Sequence, residues 1–351
     1  MVKSMSKMKQ EEEAPIPLYF QLINRMRRDI LFRLKPGDVI PSERDLCEKF
    51  KISRITVRKA LEQLTVNGEI YKLHGKGTFK SFNRSNEIRE LVYVIRNTSM
   101  IASPGRERVI RALAETAEKR GYHLVIRGYH AAGGMESLRD FAVRDVNGGL
   151  LVSVQELTNA DILSLQQARI PCVFMNQEKG YSVTADYEAV GRLAAQWANR
   201  QKFHRIALFL PSRKLRDMAR YLTGFREELK AGEKGFDLYE THYSRQTAEE
   251  TATALLSDKS CLPDAFICGD DLEAAGAADA LNKRGLRGTI AVCGVNNTYL
   301  AAEMNFSSID LKLEERSRKA AGLLADILEG KAPASPYTIK IQPTFKERKY
   351  E

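Results

Sequence analysis

The sequence predicts an α+β module followed by an α/β region: an N-terminal winged helix-turn-helix, then two lobes, each built on a parallel sheet covered by helices on both faces. Three observations predict it. Residues 41–80, PSERDLCEKFKISRITVRKALEQLTVNGEIYKLHGKGTFK, read as short helices, the last studded with basic residues, running into a tight basic hairpin. Charge is unevenly shared: residues 1–86 hold 18 Lys+Arg against 10 Asp+Glu, and the other 265 hold 37 against 35. From about residue 90, continuous apolar runs of strand length alternate with helical segments, the pattern of a sheet buried on both sides.

The N-terminal stretch MVKSMSKMKQEEE is polar throughout, and residues 1–16 are expected to form a disordered tail. Ser42, with Asp45 three residues on, has the spacing of a capping box, so a helix is expected over about 43–50. After a turn through Lys51 and Ile52, Ser53 is placed to cap the next helix, whose Val57, Ala60, Leu61 and Leu64 share one apolar face. Arg54, Thr56, Arg58 and Lys59 point away from that face. Arg54 and Arg58 lie one turn apart, where a helix in a major groove offers guanidinium forks to guanine edges or phosphates. Asn67-Gly68 stops the helix, and strands are expected at about 69–74 and 78–82 around the Gly75-Lys76-Gly77 turn. The local basic surplus beside a nearly neutral remainder is the electrostatic footprint of a nucleic-acid-binding module joined to a partner domain.

The polar stretch 81–89 reads as a linker to a two-lobed region over 90–345. Strands are expected at LVYVI, HLVIRGY, GGLLVS and PCVFMN, with helices around 105–120, 134–145 and 159–168. A second round follows: helix 186–200, strand 205–210, helix 217–231, a strand near 236–243, helix 246–257, strand 265–269, helix 271–284 and strand 289–295. In doubly wound lobes ligands bind outside the carboxyl ends of the strands. Candidates there are Asn97, Arg127, Asn176, Asp270 and Asn296-Asn297, with Asp271 read as the cap of its helix and Asp270 as the side chain reaching the cleft.

No apolar run is long enough to span a bilayer and no signal-peptide pattern is present, so a cytoplasmic protein is expected. Cys47, Cys172, Cys261, Cys268 and Cys293 form no C-x-x-C pair and read as small core residues, with neither disulfide framework nor zinc site. The five histidines make no H-E-x-x-H pattern, and neither G-x-S-x-G nor a phosphate-binding GxxxxGK[ST] loop occurs, so neither catalysis nor a cofactor or metal is expected.

The stretch from PLY through KPGD, PSER, SR-x-TVRKAL, LTVNGEI and GKGTF, residues 17–80, resembles the DNA-binding domain of GntR-family bacterial regulators. The resemblance implies operator contacts from Arg44, Ser53, Arg54, Thr56 and Arg58, with His74, Gly75, Lys76 and Gly77 as the wing tip. Ile55 stands where many members carry threonine, and an apolar residue there is able to meet a thymine methyl. The later landmarks VTADYEAVGRLAA, FHRIALF, TGFREEL, FICGDDLEAAGAADAL and IAVCGVNN resemble the LacI/GalR effector domain, which has a type I periplasmic-binding-protein-like fold. That resemblance implies a homodimer on a pseudo-palindromic double-stranded operator. It also implies a sugar effector between the lobes, held by Asn176, Asp270 and Asn296; because the candidates are amides and one acid rather than a cluster of cations, a monosaccharide such as a pentose or deoxyhexose, with or without a phosphate, is expected. Asn296 replaces the family's usual aspartate. Tyr221 occupies the place of its usual sugar-binding arginine, with Arg220 one residue earlier. A sugar sensor signalling through protein partners is the alternative.

Overall fold

The computed structural model describes residues 17–81, 90–96, 101–129, 139, 146, 148–154, 157–167, 170–229 and 235–349. They divide into two compact units, one N-terminal and ending at Ile88, the other from Arg89 onward apart from 140–147. The expected tail at 1–16, most of the linker and most of the helix expected at 134–145 lie outside the described residues.

In the first unit, α1 (Leu18–Asp29), α2 (Glu43–Phe50) and α3 (Arg54–Val66) precede a hairpin of β1 (Ile70–Leu73) and β2 (Gly77–Lys80). The capping box forms as its spacing requires: Ser42 accepts from the Asp45 amide, and Asp45 accepts from the Ser42 amide at 3.1 Å. Ser53 caps α3. Val57, Ala60, Leu61 and Leu64 are buried against Leu22 and Met26 of α1, so helix periodicity translates directly into a core. The hairpin is antiparallel with Ile70 opposite Lys80 and Leu73 opposite Gly77. Lys80 is 7% exposed because its ammonium donates to the Leu31 and Leu34 carbonyls at 2.9 and 2.8 Å, tying the hairpin to the turn after α1. Arg27 grips Glu69 through two nitrogens, at 2.9 and 2.6 Å, and so fixes the entry to the hairpin.

The second unit holds two six-stranded sheets. Lobe I carries β3 (Glu90–Ile95), β4 (His123–Gly128), β5 (Gly148–Val152), β6 (Cys172–Phe174), β7 (Tyr181–Ala185) and β13 (Tyr337–Ile341), all parallel, in the order β13-β7-β6-β5-β3-β4. Its helices are α4 (Arg106–Lys119), α5 (Asn159–Gln167) and α11 (Leu313–Leu328), of which α11 packs on α4. Lobe II carries β8 (Arg205–Leu210), β9 (Gly235–Glu240), β10 (Ala265–Cys268), β11 (Ala291–Val295), β12 (Ser307–Asp310) and β14 (Thr344–Lys346), in the order β14-β12-β11-β10-β8-β9. All its pairings are parallel except the edge pair β12–β14. Its helices are α6 (Tyr187–Arg200), α7 (Arg216–Leu229), α8 (Arg245–Leu255), α9 (Asp271–Lys283) and α10 (Tyr299–Glu303). Three of the cysteines, Cys172, Cys268 and Cys293, are the expected small core residues, but Cys261 is exposed and Cys47 half-buried. No helix among the described residues is long and apolar enough to cross a membrane.

The chain passes between the lobes three times through very short connectors: Asp186, Leu311-Lys312 and Gln342-Pro343. The first and third are lashed together, since the Asp186 amide donates to the Ile341 carbonyl at 3.1 Å and the Gln342 amide reaches the Asp186 carboxylate at 3.3 Å.

Helices α6 and α7 of lobe II pack backbone to backbone. A Cβ on Gly191 would stand 2.0 Å from the Tyr221 carbonyl, and one on Gly224 would stand 2.0 Å from the Glu188 carbonyl, so the approach is reciprocal. Backbone cannot yield as a side-chain tip can. Gly191→Ala or Gly224→Ala is therefore expected to destabilise the protein by about 2–3 kcal/mol or more, read as a lowered midpoint in urea unfolding. An unchanged midpoint would show that the helices are free to separate.

Candidate DNA-binding face and interlobe site

In the first unit the side chains left outside the core converge on one exposed face. Arg54 and Arg58 are 69% and 56% exposed, yet both Nε atoms are anchored on the same Glu43 oxygen, at 3.1 and 3.0 Å. Burial pushes the Glu43 carboxyl up, but the two guanidiniums outweigh it and hold the group below the usual carboxylate range. Glu43, the first residue of α2, was not among the sequence-derived candidates. Its signal was available in the PSER motif, one position before Arg44. Ser53 and Thr56 share a hydroxyl contact at 2.8 Å besides the cap, so both are partly occupied in holding the start of α3. Arg44 and Ile55 stand exposed, Ile55 at 81%. Across the hairpin turn His74, Gly75, Lys76 and Gly77 are all exposed, and the Lys76 amide closes the turn on the Leu73 carbonyl at 3.0 Å.

In the second unit polar side chains from both lobes meet where the connectors cross. Arg216 of α7 donates to the Gln177 side chain, just past β6, at 2.8 Å. Arg220, one turn on, pairs with Glu178 of lobe I and, at 3.3 Å, with Glu188. Arg108 of α4 grips Glu314 with two nitrogens and donates to the Asn297 carbonyl of lobe II at 2.9 Å. Between these bridges lie Asp217 of α7 and Arg316 of α11, only 7% and 8% exposed. Burial pushes the Asp217 carboxyl up to about 6 against the pull of Arg316, Arg220 and Arg216. Asp217 Oδ2 and Arg316 Nε and Nη1 have no hydrogen-bond partner. The Tyr187 hydroxyl, raised by burial and then by Asp217, is hydrogen-bonded to Arg316 and within electrostatic reach of Asp270.

The sequence-derived candidates distribute unevenly over this ground. Asp270 and Asn296 are brought together, the Asn296 amide donating to Asp270 at 2.7 Å, with the Arg106 guanidinium within electrostatic reach of Asp270. Arg106 itself donates to the Tyr93 hydroxyl. The cap expected at Asp271 falls one residue earlier. Asp270 is the helix cap, accepting from the Leu272 amide at 2.8 Å, and its carboxyl is pushed up to about 6 by burial. Asp271 is fully buried and braces the sheet end, accepting from the Thr298 amide, the Thr298 hydroxyl and the Ser308 hydroxyl at 2.6, 2.8 and 2.6 Å. Tyr221 is fully buried and stacked on Phe225 with ring centroids 6.1 Å apart, inside the lobe rather than at its surface. Arg220 is held in its ion pairs, and Arg127 is exposed on the edge strand β4. Asn176 is half-buried beside Gln177, and Asn97 lies outside the described residues. Asp217, Arg316, Tyr187 and Arg106 were missed. Each occupies the first turn of the helix that follows a strand or crossover, a place that strand-end reasoning passes over.

Three buried acids hold their protons longer when the chain is folded, because Asp217 and Asp270 titrate near 6 and Asp271 near 7 against an unfolded value of 3.8. Between those limits the folded state binds more protons than the unfolded state, so stability is highest on the acid side and falls as pH rises. The melting temperature is expected to drop between pH 5 and pH 7.5, and Asp217→Asn is expected to shallow that slope. A profile that rises across the window would contradict the placement of these groups.

Among the described residues no group of three or more His, Cys, Asp or Glu is placed to hold a metal ion. Residues 18–79 match the family described as bacterial regulatory proteins, gntR family, and residues 195–349 match the periplasmic binding protein-like domain. A relative spanning nearly the whole chain is the arabinose metabolism transcriptional repressor of Geobacillus stearothermophilus, 26% identical over 339 residues, covering 91% of this chain and 93% of that protein. Among solved structures, the transcriptional regulator CelR–cellobiose complex superposes with a TM-score of 0.65 at 21% identity, covering 86% of this chain and 92% of that one. A dimeric Lac repressor with a C-terminal deletion superposes with a TM-score of 0.64 at 18% identity, covering 74% and 98%. At such identities these two likenesses are of fold. The chain thus joins an N-terminal winged helix-turn-helix module that matches the gntR-family model to a two-lobed domain whose residues 195–349 match the periplasmic binding protein-like model.

Proposed function

We propose that the protein is a transcriptional repressor that binds a pseudo-palindromic operator as a homodimer and loses operator affinity when a sugar binds between the two lobes. The observation that carries this reading is the pair of exposed guanidiniums on α3, one turn apart and anchored on one carboxylate. A guanidinium fork already held in place loses less side-chain freedom when it meets a guanine edge or a phosphate. The exposed wing tip supplies a second, sequence-independent contact of the kind that fixes register on the duplex. The nearly full-length match to an arabinose metabolism repressor supports the regulatory role.

For the second unit, the short connectors allow the lobes to move only by hinging, and the polar groups that meet between them belong to both lobes. A ligand contacting both favours one interlobe arrangement over the other, and operator affinity changes by no more than that difference in binding. Each acid at the strand ends has a capping or bracing partner, as expected of a binding protein rather than an enzyme. The absence of a membrane-crossing helix among the described residues and the DNA-binding module support a cytoplasmic place.

The reading is tested by selecting bound sites from random duplex DNA and measuring affinity for the selected site. Arg54→Ala and Arg58→Ala are each expected to weaken binding to that site by about 10- to 100-fold, in line with 1–3 kcal/mol per bidentate contact. Glu43→Ala is expected to lower the preference for the selected over random DNA by about tenfold while leaving the salt dependence unchanged, because it adds and removes no phosphate contact. Operator affinity that survives the double substitution Arg54→Ala/Arg58→Ala would overturn the assignment of this face.

A further inference from the structure

Helix α3 begins at Arg54, and its buried residues Val57, Ala60, Leu61 and Leu64 define the side that faces the core. At about 100° per residue, the direction opposite their mean falls on Ile55, with Lys59, Glu62 and Val66 along the same line. Ile55 is 81% exposed, and among the described residues no large apolar side chain is more so. Single exposed apolar residues are ordinary on protein surfaces, but the surroundings of this one are not. It follows Arg54 directly and stands one turn before Arg58 and Lys59, so its neighbours are cations. Arg54 and Arg58 are drawn toward Glu43, at 3.1 and 3.0 Å, and the Lys59 ammonium sits 4.3 Å from the centre of the Tyr19 ring, which leaves Ile55 uncovered among them. Ser53 and Thr56, the polar residues beside it, are taken up with each other at 2.8 Å and with the helix cap. A protein partner fits this point poorly. Val66, the next exposed apolar residue on the line, is about 16 Å further along α3, with Lys59 and Glu62 between.

We propose that Ile55 selects a thymine at one position of each operator half-site by packing its branched side chain against the thymine C5-methyl in the major groove. The proposal rests on the reading of α3 as the helix that enters the operator, and adds which base one position must carry and the group by which it is told apart. An isoleucine side chain neither donates nor accepts a hydrogen bond, so it gains nothing from a phosphate or from the polar base edges that arginines, amides and carboxylates read. The C5-methyl of thymine is the apolar feature that the major groove presents. Against any other base, the same side chain would cover polar edge atoms and displace their water without replacing its hydrogen bonds. The contact therefore discriminates by penalty as well as by gain. The charged flank supplies attraction to the duplex, and the apolar point at its centre supplies a choice that the flanking cations do not make.

The test is fluorescence-anisotropy titration of the full chain on the site it selects from random duplex DNA, with each thymine in turn replaced by deoxyuridine. That replacement removes the C5-methyl and leaves the hydrogen-bonding edge unchanged. One thymine per half-site is expected to stand out, its replacement weakening binding about three- to fivefold, the worth of burying one methyl group. Ile55→Ser and Ile55→Ala are expected to bind the thymine site less tightly and to bind its thymine and uracil forms equally. Their salt dependence should match that of the unaltered chain, because no phosphate contact is lost. The side chain is exposed, so both variants should fold, and circular dichroism melts check that they do. Val66→Ser, equally exposed on the same line of α3, is the control expected to keep the full response to the methyl group. If no thymine responds to the loss of its methyl, or if the Ile55 variants respond as fully as the unaltered chain, the proposal falls and the operator-binding reading stands. If the unaltered chain selects no site from random DNA, both fall together.

Discussion

The second unit depends on a topological constraint: its two sheets are joined by three connectors of one or two residues, and all three pass the same interlobe region. Asp186, Leu311-Lys312 and Gln342-Pro343 are too short to let the lobes slide or separate, which leaves hinging as the motion available. The edge strands β13 and β14 reinforce this, since one completes the sheet of lobe I and the other that of lobe II across a two-residue link. A change at the interlobe surface is thereby converted into a change of angle rather than lost in loops.

Around those connectors the hydrogen-bond inventory divides the polar side chains into two kinds. Asp271, with three donors, and Arg108, with a carboxylate and a carbonyl, are structural, and their burial is compensated. Asp217 and Arg316 are buried without full compensation, so their cost must be met by packing elsewhere in the unit. The Ala-rich face of α9 and the backbone-close pair α6–α7 are places where that stability is concentrated.

The first unit solves a different problem. Its apolar core is supplemented by two local caps, the Ser42–Asp45 capping box and Ser53, and by two long-range ties, the Arg27–Glu69 grip and the Lys80 ammonium on two carbonyls. The Glu43 anchor belongs with these because it holds the exposed Arg54 and Arg58 from the neighbouring helix. Each guanidinium keeps its other nitrogens for a partner, so exposure and order coexist on one face.

What the sequence determined by itself is local. Caps, the Val57–Leu64 periodicity, the wing turn and the apolar strands β3, β5, β8, β10 and β11 are written in residues a few positions apart, and the structure places them where spacing and apolarity put them. Strands β7, β12, β13 and β14 were not legible. YSVTA, SSID, YTIKI and TFK mix polar with apolar residues and become strands only because distant segments complete their sheets, Tyr337 pairing with Tyr181 and Ile309 with Phe345. The site shows the same division. Asp270 and Asn296 were visible as polar residues ending apolar strands. Which of two neighbouring aspartates caps a helix, that Tyr221 turns into the core, and that Asp217 and Arg316 are buried were decided by tertiary structure, because burial and partnership belong to the packed chain and not to any short stretch of it.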